Sequence, residues 1–303
     1  MIYDIIVIGG GPAGLTAAIY AKRANKSVLV IEKETFGGQI TFSPKVENIP
    51  GFSELSGNEF AEKLVEQAIY QGADFESCYV LNIIDGETKT VNTDIGTFES
   101  KAVIISTGAK HRLLGVENEE KFVGEGISFC AVCDGAFYKD GVVGVIGGGN
   151  SALQEALLLS ELAKKVYVIQ NLDFLTGEDK LCEQIKSKEN VEIITGTVVD
   201  KVLGDTSFSG IRIKKVSDGE TKDLTLDGLF IAIGLVPQNE PFADVIELDE
   251  RGYAISDENC LTKTNGIFVA GDCRTKKIRQ VTTAACDGAI AALAACDYVD
   301  NKF

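Results

Sequence analysis

Long apolar segments and basic residues are scarce in this sequence of 303 residues. No run of about eighteen apolar residues occurs, so no membrane-spanning helix is predicted. Residues 2–8 are predicted to form a buried strand and not the core of a secretion signal, so we expect a cytoplasmic protein. Lys and Arg number 29 against 45 Asp and Glu, and this net charge of −16 argues against nucleic acid or an anionic membrane as a partner.

Histidine and paired cysteines are also scarce. His111 is the single histidine, and of eight cysteines only Cys130 and Cys133 form a CxxC motif. A structural zinc site needs four ligands, and the sequence offers no second CxxC and no Cys/His pair, so no metal site is predicted. The remaining cysteines lie singly and are expected to be reduced, buried or incidental thiols of a cytosolic enzyme. They are Cys78, Cys182, Cys260, Cys273, Cys286 and Cys296.

A dinucleotide-binding pattern stands at the start of the chain. A strand over residues 5–8 leads into Gly9-Gly10-Gly11-Pro12-Ala13-Gly14 and an Ala-rich helix, and the next strand, 27–31, ends at Glu32. Glycines at this spacing permit a tight turn and close approach of the backbone to a pyrophosphate, and the acid binds a ribose hydroxyl. A mere strand-to-helix corner would leave Glu32 unexplained, so we predict a functional dinucleotide site.

A second pattern of this kind occupies the middle of the chain. It has a strand at 142–146, the turn 147–152, a helix to about residue 162 and a strand at 166–169. Shorter strand-like runs are predicted at 102–106, 191–194, 229–233 and 266–270. A small-residue helix at 282–295 has no sheet of its own, so we infer that it completes the first domain.

These patterns predict an α/β protein with two Rossmann-like, doubly wound, three-layer dinucleotide-binding domains, the second inserted into the first. The predicted FAD-binding domain comprises residues 1–112 and 241–303. The predicted second domain, 113–240, carries the CxxC motif and a degenerate nicotinamide site.

Further motifs give the chain a specific resemblance to the flavoprotein disulfide reductases. They span nearly the whole chain and are Gly37-Gly38-Gln39-Ile40, Val46-Glu47-Asn48-Ile49-Pro50-Gly51, Thr107-Gly108-Ala109, and Gly271-Asp272 with Arg279-Gln280. The resemblance implies that FAD is the cofactor, that Asp272 binds its ribityl chain, and that Arg279 and Gln280 lie beside its isoalloxazine ring. The implied FAD-binding residues are Gly9, Gly11, Pro12, Ala13, Gly14, Glu32, Lys33, Gly38, Gln39, Asn48, Thr107, Gly108, Gly271, Asp272, Arg279 and Gln280.

The CxxC segment resembles the redox motif of the low-molecular-weight thioredoxin reductases. It reads Phe129-Cys130-Ala131-Val132-Cys133-Asp134-Gly135 and stands immediately before the second dinucleotide pattern, as in that family. A CxxC pair can close a small disulfide, and it commonly has one thiol of lowered pKa, as disulfide exchange requires. The resemblance implies that Cys133 takes electrons from the flavin, Cys130 attacks the disulfide of thioredoxin, and Asp134 manages the proton. His111 lies in an expected interdomain hinge, so no Cys–His pair is predicted.

The chain departs from the family after the second strand of the second pattern. NADPH-dependent members carry His-Arg-Arg-x-x-x-Arg there, and the arginines bind the 2′-phosphate; this chain has Gln170-Asn171-Leu172-Asp173-Phe174-Leu175-Thr176. Asn171, Leu172 and Thr176 take the arginine positions, and each lost charged hydrogen bond costs about 1.5–3 kcal/mol. We therefore expect NADPH affinity to fall by orders of magnitude.

NADH has no obvious ribose partner either. An NAD-specific site would place an acid 23 residues after Gly147, as Glu32 stands 23 residues after Gly9, but that position is Gln170. The phosphate fingerprint itself is kept in Gly147, Gly149 and Ala152. The glycines are compatible with a turn that only packs a helix on a sheet, or with weak NADPH binding through other groups.

The ferredoxin-dependent flavin thioredoxin reductases resemble this chain in lacking those arginines. We therefore expect reduced ferredoxin as the electron donor, thioredoxin as the substrate and, from the resemblance, a homodimer. Because ferredoxins are usually acidic, their docking needs a basic surface. We predict that a cluster of basic residues near Asp272 forms this docking patch, although an ordinary solvated loop would equally account for the cluster. Its residues are Arg274, Lys276, Lys277 and Arg279.

Three other functions stay open at this point. The chain is compatible with an NADPH-dependent thioredoxin reductase that has an atypical ribose site, with a reductase of small-molecule disulfides, and with a flavin redox sensor that does not turn over.

Overall fold

The computed structural model describes residues 1–43 and 45–303. Two compact units divide the chain: Met1–Lys110 with Val236–Phe303 is unit 1, and His111–Leu235 is unit 2. The cofactor assigned to each predicted domain stays a prediction.

The strands are β1 (Ile2–Ile8), β2 (Val28–Glu32), β3 (Asp74–Ser77), β4 (Val80–Ile84), β5 (Lys89–Thr93), β6 (Gly96–Ile105), β7 (Ala109–His111), β8 (Ile127–Ser128), β9 (Val142–Ile146), β10 (Lys165–Ile169), β11 (Val191–Ile194), β12 (Thr197–Gly204), β13 (Phe208–Lys215), β14 (Thr221–Thr225), β15 (Gly228–Ile231), β16 (Leu235–Pro237) and β17 (Ile267–Val269). The helices are α1 (Pro12–Arg23), α2 (Gly57–Tyr70), α3 (Ala131–Asp134), α4 (Asn150–Ser160), α5 (Asp179–Lys186) and α6 (Val281–Lys302).

Unit 1 is built on a sheet whose parallel part has the order β3-β2-β1-β6-β17. The antiparallel hairpin β4-β5 continues the sheet from the first half of β6, and β17 pairs with the second half. Alternate residues of β1 enter opposite cores: Ile5 and Val7 pack with α1 and α6, and Ile6 and Ile8 pack on the other face. The carboxyl ends of β1 and β2 therefore place the glycine turn and Glu32 at one edge of the sheet.

Unit 2 repeats this plan with a parallel sheet of order β11-β10-β9-β15-β8. Val143 and Val145 of β9 pack against α4, and Ile146 packs on the opposite face. A separate antiparallel sheet, β12-β13-β14, completes the unit. The predicted α/β class with Rossmann-like sheets is confirmed.

Several predicted elements differ in length from the observed ones. The helix predicted at 282–295 runs from Val281 to Lys302, because buried Cys296 and Val299 extend its apolar face and no breaker follows. The strand predicted at 102–106 begins at Gly96, since its polar first half pairs with β5. In the described residues, no helix has the length and apolar character needed to cross a membrane.

Candidate functional site

The first glycine turn, between β1 and α1, excludes side chains. Gly9 has a φ of +108°, and a Cβ on it would lie 2.3 Å from the carbonyl oxygen of Ser106. A Cβ on Gly14 would lie 1.9 Å from the carbonyl oxygen of Gly9. No described side chain caps the start of α1, so its first N–H groups are open to an anion such as a pyrophosphate.

Gly38 and Glu32 border the same turn. A Cβ on Gly38 would lie 3.1 Å from the Cα of Gly11, so a glycine is needed where the two segments approach. The carboxylate of Glu32 accepts hydrogen bonds from the N–H of Gly10 at 2.7 Å and of Glu34 at 2.9 Å. These bonds hold Glu32 at the mouth of the turn with further lone pairs available for ribose hydroxyls.

A cavity of about 150 Å³ opens beside Glu32. Lys33 borders it, donates to the side-chain oxygen of Gln238 at 3.1 Å and lies over the ring of Tyr79. Thr107 also lines this cavity and donates to the side-chain oxygen of Asn239 at 3.3 Å. The structure thus brings Glu32, Lys33 and Thr107 together around a space of the right chemistry for an adenosine group.

Asp272 is the buried acceptor of unit 1. Its Oδ1 atom is buried and has no hydrogen-bond partner among the described residues. Burial raises the pKa of Asp272 to about 6, and Lys276 and Arg279 lower it in part. A buried oxygen without a donor is costly, so a hydroxyl donor from a bound group, such as a ribityl chain, fits this position.

Further predicted residues lie around Asp272. The Arg279 guanidinium stacks on the ring of Tyr253 at 4.2 Å and donates to the carbonyl oxygen of Asp272 at 3.3 Å. Gln280 precedes α6 and accepts from the side-chain amide of Asn48 at 3.3 Å.

Gln39 and Gly108 are also predicted FAD-binding residues. Among the described residues, neither has an identified contact with the groups around Asp272. The amide of Gln39 donates to the carbonyl oxygen of Ala109 instead. Gly108, which follows Thr107, has a φ of +67° and no atom within 4 Å of the place a Cβ would take.

The predicted docking patch is wrong for two of its four residues. Arg274 is buried and the Lys276 side chain is 9% exposed, and both pair with the carboxylate of Asp287, at 2.8 Å each. Burial opposes ionisation of Asp287, but the two cations hold its pKa below the usual range. Of the four residues only Lys277 is exposed, because the others hold the segment 271–279 against α6 or stack on Tyr253.

In unit 2, Cys130 and Cys133 form a disulfide with their Cα atoms 5.3 Å apart. Cys130 immediately precedes the single helical turn α3, and its Sγ atom accepts from the N–H of Cys133 at 3.2 Å. That hydrogen bond favours a thiolate on Cys130 when the pair is reduced.

Asp134 follows the disulfide and is held by a residue that the sequence did not single out. The Ser128 hydroxyl donates to Asp134 Oδ2 at 2.5 Å and accepts from the N–H of Cys130 at 3.1 Å. Asp134 Oδ1 is buried and has no hydrogen-bond partner in the described part of the chain. Burial raises the pKa of Asp134, and Ser128 lowers it in part, so this carboxyl group favours the protonated form more than an exposed aspartate.

Glu155 on α4 was also missed from sequence. Its carboxyl group accepts from the backbone N–H of Ala131, between the two cysteines, and its Oε2 atom is buried without a hydrogen-bond partner among the residues that the structure describes. Burial raises the pKa of Glu155 to about 8, and the bond from Ala131 lowers it in part. Its position in an ordinary helical pattern gave no signal of this burial.

His111 stacks on Phe129, with ring centroids 4.5 Å apart. Burial lowers the pKa of His111 to about 4, so its imidazole is neutral at neutral pH.

Of the unpaired cysteines in the described residues, only Cys286 is exposed. The described residues contain no cluster of three or more His, Cys, Asp or Glu placed to hold a metal ion.

The second glycine turn retains its shape. Gly147 has a φ of +128°, and a Cβ on it would lie 2.6 Å from the carbonyl oxygen of Ala232. The segment after β10 folds onto this turn, because the N–H of Thr176 donates to the carbonyl oxygen of Gly148 at 2.8 Å. A Cβ on Gly149 would lie 3.7 Å from Thr176 Oγ1. Thr176, at a predicted arginine position, therefore lies directly beside the phosphate turn.

The ribose position of this turn carries an amide. Gln170 is buried against Gly148, and its side-chain nitrogen donates to the carbonyl oxygen of Phe174 at 3.3 Å. Residues 170–179 contain no Lys or Arg but include Asp173, Glu178 and Asp179. The charge of this segment opposes a phosphate group.

One Rossmann-like unit carries a CxxC disulfide, and the other carries an open glycine turn with an acidic residue beside it. Together these features define a disulfide oxidoreductase with a dinucleotide cofactor. Comparisons with known proteins agree. The model of the pyridine nucleotide-disulphide oxidoreductase family matches residues 3–288. Thioredoxin reductase of Listeria innocua is 40% identical over 302 residues, which cover 99% of this chain and 95% of that protein. Thioredoxin reductase of Treponema pallidum is 41% identical over 303 residues, which cover 99% and 98%.

The structural comparison is equally extensive. The crystal structure of thioredoxin reductase from Streptococcus pyogenes MGAS5005 superposes with a TM-score of 0.94 at 40% identity, covering 99% of both chains. The chain therefore belongs to the pyridine nucleotide-disulphide oxidoreductase family, as a homologue of the low-molecular-weight thioredoxin reductases. Members of this family are FAD-binding flavoproteins, and the groups around Glu32 and Asp272 fit that cofactor.

Proposed function

We propose that this flavoprotein reduces thioredoxin through FAD and the Cys130–Cys133 pair, with electrons from reduced ferredoxin rather than NADPH. The observation that carries the choice of donor is the segment 170–179, which folds onto the second glycine turn without a single cation. A 2′-phosphate there would meet three carboxylates nearby in sequence and no arginine.

The proposed chemistry assigns a separate task to each side chain near the disulfide. Bound FAD would supply the conversion between single electrons and the electron pair that a disulfide takes up. When the pair is reduced, Cys130 Sγ attacks one sulfur of the substrate disulfide and forms a mixed disulfide. Cys133 then attacks Cys130 Sγ, restores the intramolecular bond and releases the second substrate thiolate.

Asp134 is proposed to donate the proton that the leaving thiolate needs. Burial and its single hydroxyl partner, Ser128, favour the protonated form of Asp134, which an acid requires. Ser128 holds both Asp134 and the N–H of Cys130, so the acid and the attacking cysteine are fixed by one hydroxyl.

A ferredoxin donor is energetically sufficient. An iron–sulfur ferredoxin near about −400 mV and a thioredoxin near about −270 mV differ by roughly 130 mV, or about 6 kcal/mol for two electrons. Arg274 and Lys276 pair with Asp287 and are not available to a ferredoxin, so a ferredoxin would need contacts beyond the predicted docking patch. We further propose a cytoplasmic homodimer, on the resemblance alone.

The second candidate is an NADPH-dependent thioredoxin reductase with an atypical ribose site. The intact shape of the turn at Gly147 favours it, because a glycine there would also serve a bound pyrophosphate. The two candidates differ in donor and share the Cys130–Cys133 chemistry.

Reconstituted turnover tests the proposal. Thioredoxin reduction is measured with reduced ferredoxin or NADPH as the donor, for the wild-type protein and for Cys130→Ser, Cys133→Ser and Cys286→Ser. We expect turnover with ferredoxin alone, its loss in the first two variants, and full activity in Cys286→Ser, whose thiol is exposed and unpaired. Turnover with NADPH at the rate seen with ferredoxin would support the second candidate, and activity in Cys133→Ser would contradict both.

A further inference from the structure

Glu155 has no part in the chemistry described above, yet it lies against the disulfide segment. α4 carries it, and Ala131 packs with Ala152, Leu153 and Ala156 of the same helix in one apolar core. The backbone N–H of Ala131 donates to the Glu155 carboxyl group. Ala131 is the residue that follows Cys130, so Glu155 contacts the backbone between the two cysteines.

The other oxygen of Glu155 gives the second observation. Glu155 Oε2 is buried and has no hydrogen-bond partner in the described residues. An ionised carboxylate with a buried, unpaired oxygen is strongly disfavoured, whereas a protonated group is tolerated. The surroundings therefore favour a neutral Glu155 at neutral pH, in agreement with its pKa of about 8.

No described cation pairs with this carboxyl group. The elements packed most closely against α4 are α3, α5, β9 and β10. Their ionisable groups are Cys130, Cys133 and Asp134 on α3, Asp179, Lys180, Cys182, Glu183 and Lys186 on α5, and Lys165 and Tyr167 on β10. None of them is among the causes of the shift at Glu155, so burial dominates.

We propose that Glu155 is a positioning residue for the Cys130–Cys133 pair, and that, where it is ionised in the oxidised protein, it takes up a proton when the reduced pair carries a thiolate. The inference rests on the proposed function only in that the pair must be redox-active. It adds a second proton-holding carboxyl group to Asp134, acting through Ala131 and not on the sulfur atoms.

The proton count follows from the reaction. Reduction breaks the S–S bond and adds two electrons, and the sulfurs bind two protons as a dithiol or one proton when one sulfur stays a thiolate. A negative sulfur near Glu155 raises the pKa of its carboxyl group, because like charges disfavour ionisation. Where Glu155 is ionised in the oxidised protein, reduction with a thiolate product then takes up one further proton, at Glu155.

Infrared spectroscopy of the oxidised FAD-loaded protein tests the neutral state directly. The wild type should show the C=O stretching band of a protonated carboxylic acid at pH 6, lost with a midpoint near pH 8. Glu155→Gln should lose the component of the band that titrates near pH 8, and Glu161→Gln, which changes an exposed glutamate at the end of the same helix, should keep it. A band that Glu155→Gln leaves unchanged would overturn the proposal, and the wild-type titration needs no variant to fold.

The coupling is tested by the midpoint potential of the pair. It is measured against dithiothreitol buffers from pH 6 to 10, with alkylation of the two cysteines read by mass spectrometry. Above about pH 8 the wild-type potential should fall more steeply with pH than that of Glu155→Gln, and below that pH the two should run parallel. Parallel lines throughout would overturn the Glu155 inference alone, whereas a pair that cannot be reduced would overturn the proposed function.

Discussion

Asp272 and Glu155 each have one buried carboxyl oxygen to which no described residue donates a hydrogen bond. Asp272 lies in the unit with the open glycine turn, and a hydroxyl group of a bound cofactor would supply its missing hydrogen bond. Glu155 lies beside the disulfide, and protonation of its carboxyl group lowers the cost of the unpaired oxygen. The same energetic cost is therefore reduced in two different ways.

Asp272→Asn should weaken FAD binding by roughly ten- to a hundredfold, because a hydrogen bond to a charged acceptor contributes about 1.5–3 kcal/mol. The wild type should also lose affinity as the pH falls through about 6, where Asp272 takes up a proton and its carboxylate is lost as the acceptor. Equilibrium dialysis with flavin absorbance measures both effects. Asp244→Asn, which alters an exposed acid of the same unit, should bind like the wild type. Equal affinity and equal pH dependence in Asp272→Asn would contradict the role given to Asp272.

Functional residues that belong to a sequence motif were predicted from the sequence. Functional residues whose role depends on burial in the folded protein were missed. Cys130, Cys133 and Asp134 stand in one motif, so their proximity needed no tertiary information. Ser128 and Glu155 became visible only in the structure, because their hydrogen bonds depend on how β8, α3 and α4 pack.

At the scale of elements, the start of α6 holds the segment that carries Asp272. Asp287 accepts from the N–H of Gly271 at 3.0 Å and pairs with Arg274 and Lys276. The buried guanidinium of Arg274, the largely buried ammonium group of Lys276 and one backbone donor thus depend on a single carboxylate. Arg274 and Lys276, which suggested a docking surface in the sequence, therefore stabilise this segment instead.

Asp287→Asn should lower the free energy of unfolding by about 3–5 kcal/mol, because it leaves buried cations uncompensated. It should also release FAD more readily, since the segment 271–279 loses its anchor. Thermal unfolding and flavin retention after gel filtration measure the two effects. Asp297→Asn changes an exposed acid further along α6 and should match the wild type. An Asp287→Asn protein as stable as the wild type would refute the anchoring role.

The segment after β10 gives a prediction of gained function. Asn171→Arg, Leu172→Arg and Thr176→Arg together should raise NADPH affinity by at least tenfold, because each charged hydrogen bond to a phosphate contributes about 1.5–3 kcal/mol. NADH lacks the 2′-phosphate, so its affinity in the same variant is the control and should change little. Fluorescence titration of both nucleotides measures this. An equal gain for NADH and NADPH would show that the arginine positions are misassigned.

Element types were more predictable than element lengths. The buried parallel strands β1, β2, β9 and β10 have continuous apolar runs, and glycine turns follow β1 and β9, so their existence followed from sequence. The sheet β12-β13-β14 was not named, because its strands alternate buried apolar residues with exposed polar and charged ones and lie outside the dinucleotide patterns. The half of β6 that pairs with β5 was missed for the same reason.

At the scale of the whole molecule, charge is spread over both units. Unit 1 has 16 basic and 25 acidic residues and unit 2 has 13 and 20, giving −9 and −7, which sum to the −16 of the chain. Neither unit as a whole attracts an acidic ferredoxin, so donor docking depends on local contacts. The family is established over 99% of the chain, and the donor is the part of the function that family membership leaves open.

The reductive half-reaction tests the central claim most directly. The FAD-loaded protein is mixed anaerobically with reduced ferredoxin, NADPH or NADH in a stopped-flow instrument, and flavin absorbance is followed with no thioredoxin present. We predict rapid and complete bleaching by reduced ferredoxin and slow or incomplete bleaching by either nicotinamide. Rapid, complete bleaching by NADPH would contradict the account.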